Sequence, residues 1–353
     1  MAHALYDPRD GYYAHGRSQV GRGGDFFTSV SVGPLFGQLL ARRFLRWRRE
    51  SGHTGRWRIL ELGAHDGALA ADVLAAITVL DSGAISTLEY AIAEPLDALR
   101  ASQQDTLRGH EAGVRWVADA AALADDPMPG IVFGNELLDA LPFHIVTRRK
   151  GIWHETGVAP DLQRPDSLTW CDLGPVAGAL ADAVARIDAT HLPDGYRTEV
   201  RTNYAALHAT LSRILNGGSA MWFDYGFARP EYYDPARTGG TLRTYSRHTA
   251  GEDPLAAPGQ ADITAHVDFT AVAEDAAQSG FALATFQNQG AWLTREARKW
   301  LAEMETSPDP SLIRQFQTLT HPAHLGARFH AIELAIPGPA TATAADFHRC
   351  GLT

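Results

Sequence analysis

Cysteine and lysine are both scarce in this chain. Cys171 and Cys350 are the only cysteines, and they form neither a disulfide framework nor a metal-binding spacing, which fits a reducing compartment. Lysine occurs only at Lys150 and Lys299, so nearly all of the positive charge is arginine. Against 31 basic residues stand 41 acidic ones, a formal charge of −10, which argues against nucleic acid as the default partner. No apolar run approaches the roughly 18 residues of a membrane-spanning helix. The first sixteen residues have the character of neither a signal peptide nor an Arg/Ser-rich transit sequence. A cytoplasmic protein is expected, and 353 residues allow one large elaborated domain or two smaller ones.

What is present is organised around Ile59-Leu60-Glu61-Leu62-Gly63-Ala64-His65-Asp66-Gly67. An apolar run ends in an acid, breaks on glycine and reopens as a helical pattern from Ala68 to Leu80, the pattern of strand, turn and helix N-terminus. Free N–H groups and the helix dipole favour an anionic group there. A dinucleotide fingerprint needs glycines at relative positions 0, 2 and 5. Those positions hold Gly63, His65 and Ala68, so the glycine that admits a pyrophosphate is missing. Glu61 would also repel a pyrophosphate but suits a ligand with a cationic end. S-adenosylmethionine carries an ammonium, a sulfonium and a carboxylate, and no phosphate. Similar turns also occur in α/β domains that bind nothing there.

The N-terminal 32 residues are rich in glycine and aromatics and read as an ordered cap. A helix follows over 33–50, with Arg42, Arg43, Arg46, Arg48 and Arg49 on its expected solvated face. Strands expected at 59–63, 88–93, 114–117 and 130–133 alternate with helices, which implies a parallel sheet with right-handed crossovers. Each strand ends near an acid or amide: Glu61, Glu94, Asp119 and Asn135-Glu136. Ligands on such sheets sit beyond those ends. Glu94 lies 27 residues beyond Gly67, about where a ribose-binding acid belongs. After Pro142 the alternation gives way to short strands and two helical patterns, then resumes at Ala220-Met221-Trp222-Phe223 and runs into Asp224-Tyr225-Gly226. The stretch 226–262 reads as a long loop, and the tail from Pro337 as loose.

Several runs are similar to one family. They are Asp10-Gly11-Tyr12-Tyr13, Gly24-Asp25-Phe26-Phe27-Thr28-Ser29, Glu61-Leu62-Gly63, Asn135-Glu136-Leu137-Leu138-Asp139-Ala140-Leu141-Pro142, Asp224-Tyr225-Gly226, Gly240-Thr241-Leu242-Arg243 with His248, and Asp262-Ile263-Thr264-Ala265-His266-Val267-Asp268-Phe269. The chain resembles the MidA family of class I, S-adenosylmethionine-dependent methyltransferases. Two departures stand out. The family's Gly-Pro-Gly-Arg-Gly is here Gly63-Ala64-His65-Asp66-Gly67, and its Thr-Ser-Pro-Glu continues as Thr28-Ser29-Val30-Ser31. The resemblance implies an α/β fold with a mostly parallel, seven-stranded, Rossmann-like sheet. The expected organisation is an arm and helix over 1–50, a methyltransferase domain over 51–340 interrupted at about 143–215, and a tail over 341–353.

The resemblance also implies methyl transfer to a protein arginine, with a respiratory complex I subunit as the target. The partners expected are that protein substrate and a second copy of the chain. Guanidinium is always charged and a poor nucleophile, so carboxylates must grip it. Candidates are Glu136, Asp139, Glu199 and Asp224, with Tyr225 and His248 orienting the acceptor. For the cofactor, Glu61, Gly63 and Gly67 would serve the methionine end, Glu94 the ribose, Asp119 the adenine amine, and Asn135 the strand end. Gly24, Asp25 and Thr28 would form a lid. Plain structural roles stand beside these: Asp139 as a helix cap, Asp224 within a turn, Glu199 paired with Arg197 or Arg201. No metal set is expected. A small-molecule or other-residue methyltransferase, and a non-catalytic assembly factor, are the alternatives.

Overall fold

The computed structural model describes residues 1–15, 28–110, 113–246, 249–251, 253–337 and 344–352. The main sheet is built from β1 (Trp57–Leu62), β2 (Leu88–Ala93), β3 (Val114–Val117), β4 (Met128–Asn135), β9 (Leu215–Phe227), β13 (Val267–Asp268), β14 (Ala282–Asn288) and β15 (Phe329–Ile336). Its order is β14-β15-β9-β4-β1-β2-β3, with β13 added against β9. β1, β2, β3, β4 and β9 run parallel, and β15 is antiparallel to both neighbours. From β1 the chain moves outward to β2 and β3, then returns to β4 on the other side of β1. The strand order therefore reverses between β1 and β4, the switch point where α/β sheets hold ligands. The α/β, mostly parallel architecture expected from the strand–helix alternation is the one observed.

Both faces of the sheet are covered, so its central strands are predominantly apolar. Successive residues go to opposite faces. Ile59, Ile131, Phe133 and Phe223 pack with Phe36, Phe44, Val73 and Trp292 from the helices on one side. Leu60, Val132 and Trp222 pack with Leu211, Phe269 and Val272 on the other. Each such side chain contributes about 1.5–3 kcal/mol on burial.

The inserted sheet, of order β7-β6-β5-β8, comprises β5 (His144–Arg149), β6 (Ile152–Asp161), β7 (Arg164–Pro175) and β8 (Arg197–Val200), all antiparallel. It has its own core around Val146, Trp153, Tyr196 and Tyr232. The helix Tyr204–Ile214, which the sequence reading includes in the interruption, packs instead with the second face of the main sheet.

Three further expectations are corrected. The arginines of helix Leu35–Glu50 are only in part a solvated face: Arg49 is exposed and the partly exposed Arg42 and Arg46 pair with Glu303 and Glu296, but Arg43 is buried against Glu333. The stretch 226–262 is not a plain loop. It holds the short helix Arg229–Tyr232 and the strands β10 (Arg243–Ser246), β11 (Thr249–Gly251) and β12 (Asp262–Thr264), paired antiparallel. The tail contains a helix, Ala344–Arg349, and Leu352 is buried, its carbonyl accepting from Thr270 Oγ1 at 2.9 Å.

The start of the chain lies over the sheet's carboxyl end. Leu5, Tyr12 and Ile263 form a small apolar cluster. Tyr6 Oη donates to the Ala140 carbonyl at 2.8 Å, Tyr13 Oη donates to Asp262 at 2.9 Å, and the two rings stack 5.5 Å apart.

Candidate active site at the sheet switch point

The turn after β1 uses left-handed backbone three times, at Gly63 (φ 73°), His65 (φ 48°) and Gly67 (φ 84°). Two of these are glycine, as such angles favour, and His65 is strained. Gly67 begins helix Ala68–Leu80 without a side-chain cap of its own. Asp66 supplies one instead, accepting from Ala68 N–H at 3.1 Å. The His65 ring lies beside Asp66 and helps to hold that carboxyl below its usual range. The loop thus keeps its turn although the middle glycine is absent.

Glu61 faces the interior and accepts from Tyr90 Oη at 2.5 Å. Burial outweighs that bond and pushes its carboxyl up to about 7. Glu94, just past β2, is buried too. It accepts from Leu96 N–H at 2.9 Å and from the Gln103 amide at 3.0 Å. Burial raises its carboxyl against these bonds. Asp119 is exposed and accepts from Ala122 N–H at 3.2 Å, capping the turn Ala120–Leu123.

At the ends of β4 and β9 the second half of the site comes together. Glu136 has φ 52° and donates its N–H to the Phe223 carbonyl at 2.8 Å. Its carboxylate accepts from the Asn135 amide at 3.1 Å and from Ser29 N–H. Burial, then the neighbouring Asp139, push it up to about 8 despite these donors. Asp224 accepts from the N–H groups of Leu138 and Asp139 at 2.8 and 3.2 Å and from Tyr225 N–H at 2.9 Å. Both of its oxygens hold the backbone of the turn, so Asp224 is a support. Tyr225 Oη donates to the other oxygen pair in the cluster, the Asp139 carboxylate. Among the described residues, Asn135 Oδ1 and Asp139 Oδ1 are buried with no hydrogen-bond partner, and such acceptors are costly to leave unmet.

Glu199 does not join this group. It sits on β8 and accepts from Thr241 N–H, Thr241 Oγ1 and Leu242 N–H at 2.8, 2.9 and 3.2 Å, so it fixes the Gly-Thr-Leu loop. It makes neither of the pairings expected of it. Arg201 instead donates to the carbonyls of Asp139, Leu141, Ala265 and His266, at 2.5 to 3.2 Å. Thr28 forms a tight turn with Ser31, whose N–H donates to Thr28 Oγ1 at 3.2 Å. Gly24, Asp25 and His248 lie outside the described residues.

Sequence reasoning missed four contributors. Arg201 and Gln103 have no local signature, because an arginine after a strand and a glutamine in a helix both read as surface residues. Tyr13 and Asp262 lie within the runs already singled out, 249 residues apart; only the fold pairs them.

The donor set fits S-adenosylmethionine. Acids stand at the ends of β1 and β2, and a glycine turn opens a helix without a side chain at its cap. A Cβ at Gly63 would crowd Leu137 Cδ1 at 3.2 Å, and the φ of 73° there disfavours any side chain. The comparisons agree. The family described as "Putative S-adenosyl-L-methionine-dependent methyltransferase" matches residues 39–287. The mitochondrial protein arginine methyltransferase NDUFAF7 of Rattus norvegicus is 29% identical, covering 95% of this chain and 79% of the relative. That of Danio rerio is 27% identical, covering 93% and 80%. Among solved structures, a COG1565 superfamily member from Burkholderia thailandensis bound to S-adenosyl-homocysteine is 34% identical with a TM-score of 0.83, covering 99% of this chain and 89% of that one. The expectation of a cytoplasmic protein is overturned by these curated relatives, which are named as mitochondrial. The fold, the site and the matches converge: this chain belongs to that family, as an enzyme that transfers methyl groups with S-adenosylmethionine as its cofactor.

Proposed function

We propose that the methyl acceptor is the guanidinium of an arginine in a protein, with a respiratory complex I subunit as the target. The observation that carries this reading is the acidity of the β4 edge. Glu136 is pushed up to about 8 by burial and by Asp139, with Asp262 adding to the effect. A guanidinium offers the charge and the paired N–H donors that such carboxylates accept. The names of the mammalian and fish relatives support the same acceptor.

The cofactor supplies a methyl group on a sulfonium, whose C–S electron pair leaves with sulfur. Glu136 and Asp139 grip the guanidinium and leave one nitrogen free to attack, Tyr225 holds Asp139 in place, and Glu136 takes the proton that the nitrogen loses. Glu61 and the Gly63–Gly67 turn serve the methionine end, Glu94 the ribose, Asp119 the adenine amine and Asn135 the strand end. Thr28 adjoins Ser29, whose N–H meets Glu136, and serves at the edge of the site. Glu136→Gln should retain S-adenosyl-homocysteine affinity by calorimetry and lose about 100-fold or more in transfer to an arginine peptide. Transfer within a few-fold of wild type would make Glu136 structural. Equal transfer to a lysine or small-molecule acceptor would remove the arginine assignment.

A further inference from the structure

We infer that Gln103 is a positioning residue for the cofactor, clamping the turn after β1 and the carboxylate after β2 in one fixed relation. The inference rests on the assignment of Gly63–Gly67 and Glu94 to the cofactor. Gln103 lies in helix Asp97–Thr106 and is completely buried. Its amide nitrogen donates to the His65 carbonyl at 3.0 Å and to Glu94 Oε2 at 3.0 Å. Its amide oxygen accepts from Trp116 Nε1 on β3 at 3.2 Å. That third bond fixes which end of the amide faces the site, because only the NH2 end can serve two acceptors.

The geometry bears on the glycine loop that this sequence lacks. His65 stands in left-handed backbone, a conformation costly for a residue with a Cβ. Its carbonyl is held by Gln103, so the surrounding structure, and not a second glycine, maintains the turn. The helix is also close: a Cβ at Gly67 would meet Gln103 Cα at 3.3 Å. A surface role for Gln103 is excluded by its burial, and a purely apolar one by its three hydrogen bonds.

Clamping also acts on Glu94 electrostatically. The Gln103 amide and the Leu96 N–H favour its ionised form, as do Arg100 on its own side and His65 across from it, while burial opposes them. Removing the amide should therefore move the pH at which Glu94 gains its proton upward. A residue that merely filled space would leave that pH unchanged.

The test is calorimetric titration of the full chain with S-adenosyl-homocysteine between pH 5 and 8, with thermal unfolding measured on each variant. Gln103→Met keeps the volume and removes the donors. It should bind about tenfold more weakly at neutral pH, and the acid limb of its binding curve should shift to higher pH. Gln103→Glu, which sets an acceptor against two acceptors, should be worse. If Gln103→Met does not fold, Trp116→Phe releases only the anchor on the amide oxygen and should give the same pH shift. Affinity within twofold of wild type in these variants, or weaker binding with an unmoved acid limb, overturns the inference. Glu94→Ala separates the causes. If it loses affinity while Gln103→Met does not, the clamp alone falls; if both bind as wild type, the cofactor assignment falls with it.

Discussion

Glu61 is a carboxyl buried on the first strand of a sheet, next to a tyrosine hydroxyl and, among the described residues, no cation that offsets its desolvation. It holds its proton up to about 7 in the folded chain, against about 4.3 unfolded. A group of that kind contributes stability that is fully present below the unfolded value and lost as pH rises through the folded one. Between about pH 4.3 and 7 the wild type should therefore lose on the order of 3 kcal/mol that Glu61→Gln keeps. Urea titrations at pH 5 and 8 measure this, and parallel losses in both proteins would mean that Glu61 is not the group responsible. Glu136 extends the argument to catalysis. Its carboxyl is neutral at pH 7 and ionised above about 8, so kcat/KM for an arginine acceptor should rise from pH 6 to 9. A profile flat over that range would exclude Glu136 as the group that grips and deprotonates. At this scale the sequence marks the strand ends where an apolar run meets a glycine, as around Glu61, Gly63 and Glu136. It was silent on which acids face inward, because burial is a property of neighbours: Asp224 and Glu199 looked like site acids and are spent on backbone N–H groups.

Among elements, the helix Leu35–Glu50 shows why a periodic pattern can mislead. Its arginines fall where a solvated face is expected, yet Arg43 meets Glu333 of β15 at 2.7 Å, both being nearly buried. Trp292 Nε1 and Arg295 complete the set. Burial would raise the Glu333 carboxyl, but Arg43 prevails and holds it below the usual range. Removing Arg43 leaves the buried Glu333 carboxylate with only Arg295 and Trp292, and Arg43→Met should cost about 3 kcal/mol in chemical denaturation. A loss under about 1 kcal/mol would place the pair with ordinary surface bridges. The main strands were legible because apolar runs covered on both faces stand out from their surroundings. β10, β11 and β12 were not, since each has only three or four residues and little room for an alternating pattern.

For the whole molecule, ligand binding and folding are linked. A cofactor that binds only the folded chain stabilises it by about 2.7 kcal/mol at a hundred times its dissociation constant. S-adenosyl-homocysteine should accordingly raise the melting temperature by several degrees. An unchanged melting curve at millimolar ligand would deny the isolated chain a working donor site. Arg201 carries a further consequence, for the timing of synthesis. The turn from Asn135 to Pro142 leaves the ribosome early, but two of its carbonyls bind a guanidinium that follows the inserted sheet. The same guanidinium also holds Ala265 and His266. A nascent chain can pair β1 to β4 well before this point, since domains assemble from the N-terminus as they emerge. The turn after β4 cannot be locked until about residue 266 has been made, whereas β14 and β15 of the main sheet follow later still, so the first parallel strands precede both the lock on that turn and the antiparallel edge of the sheet.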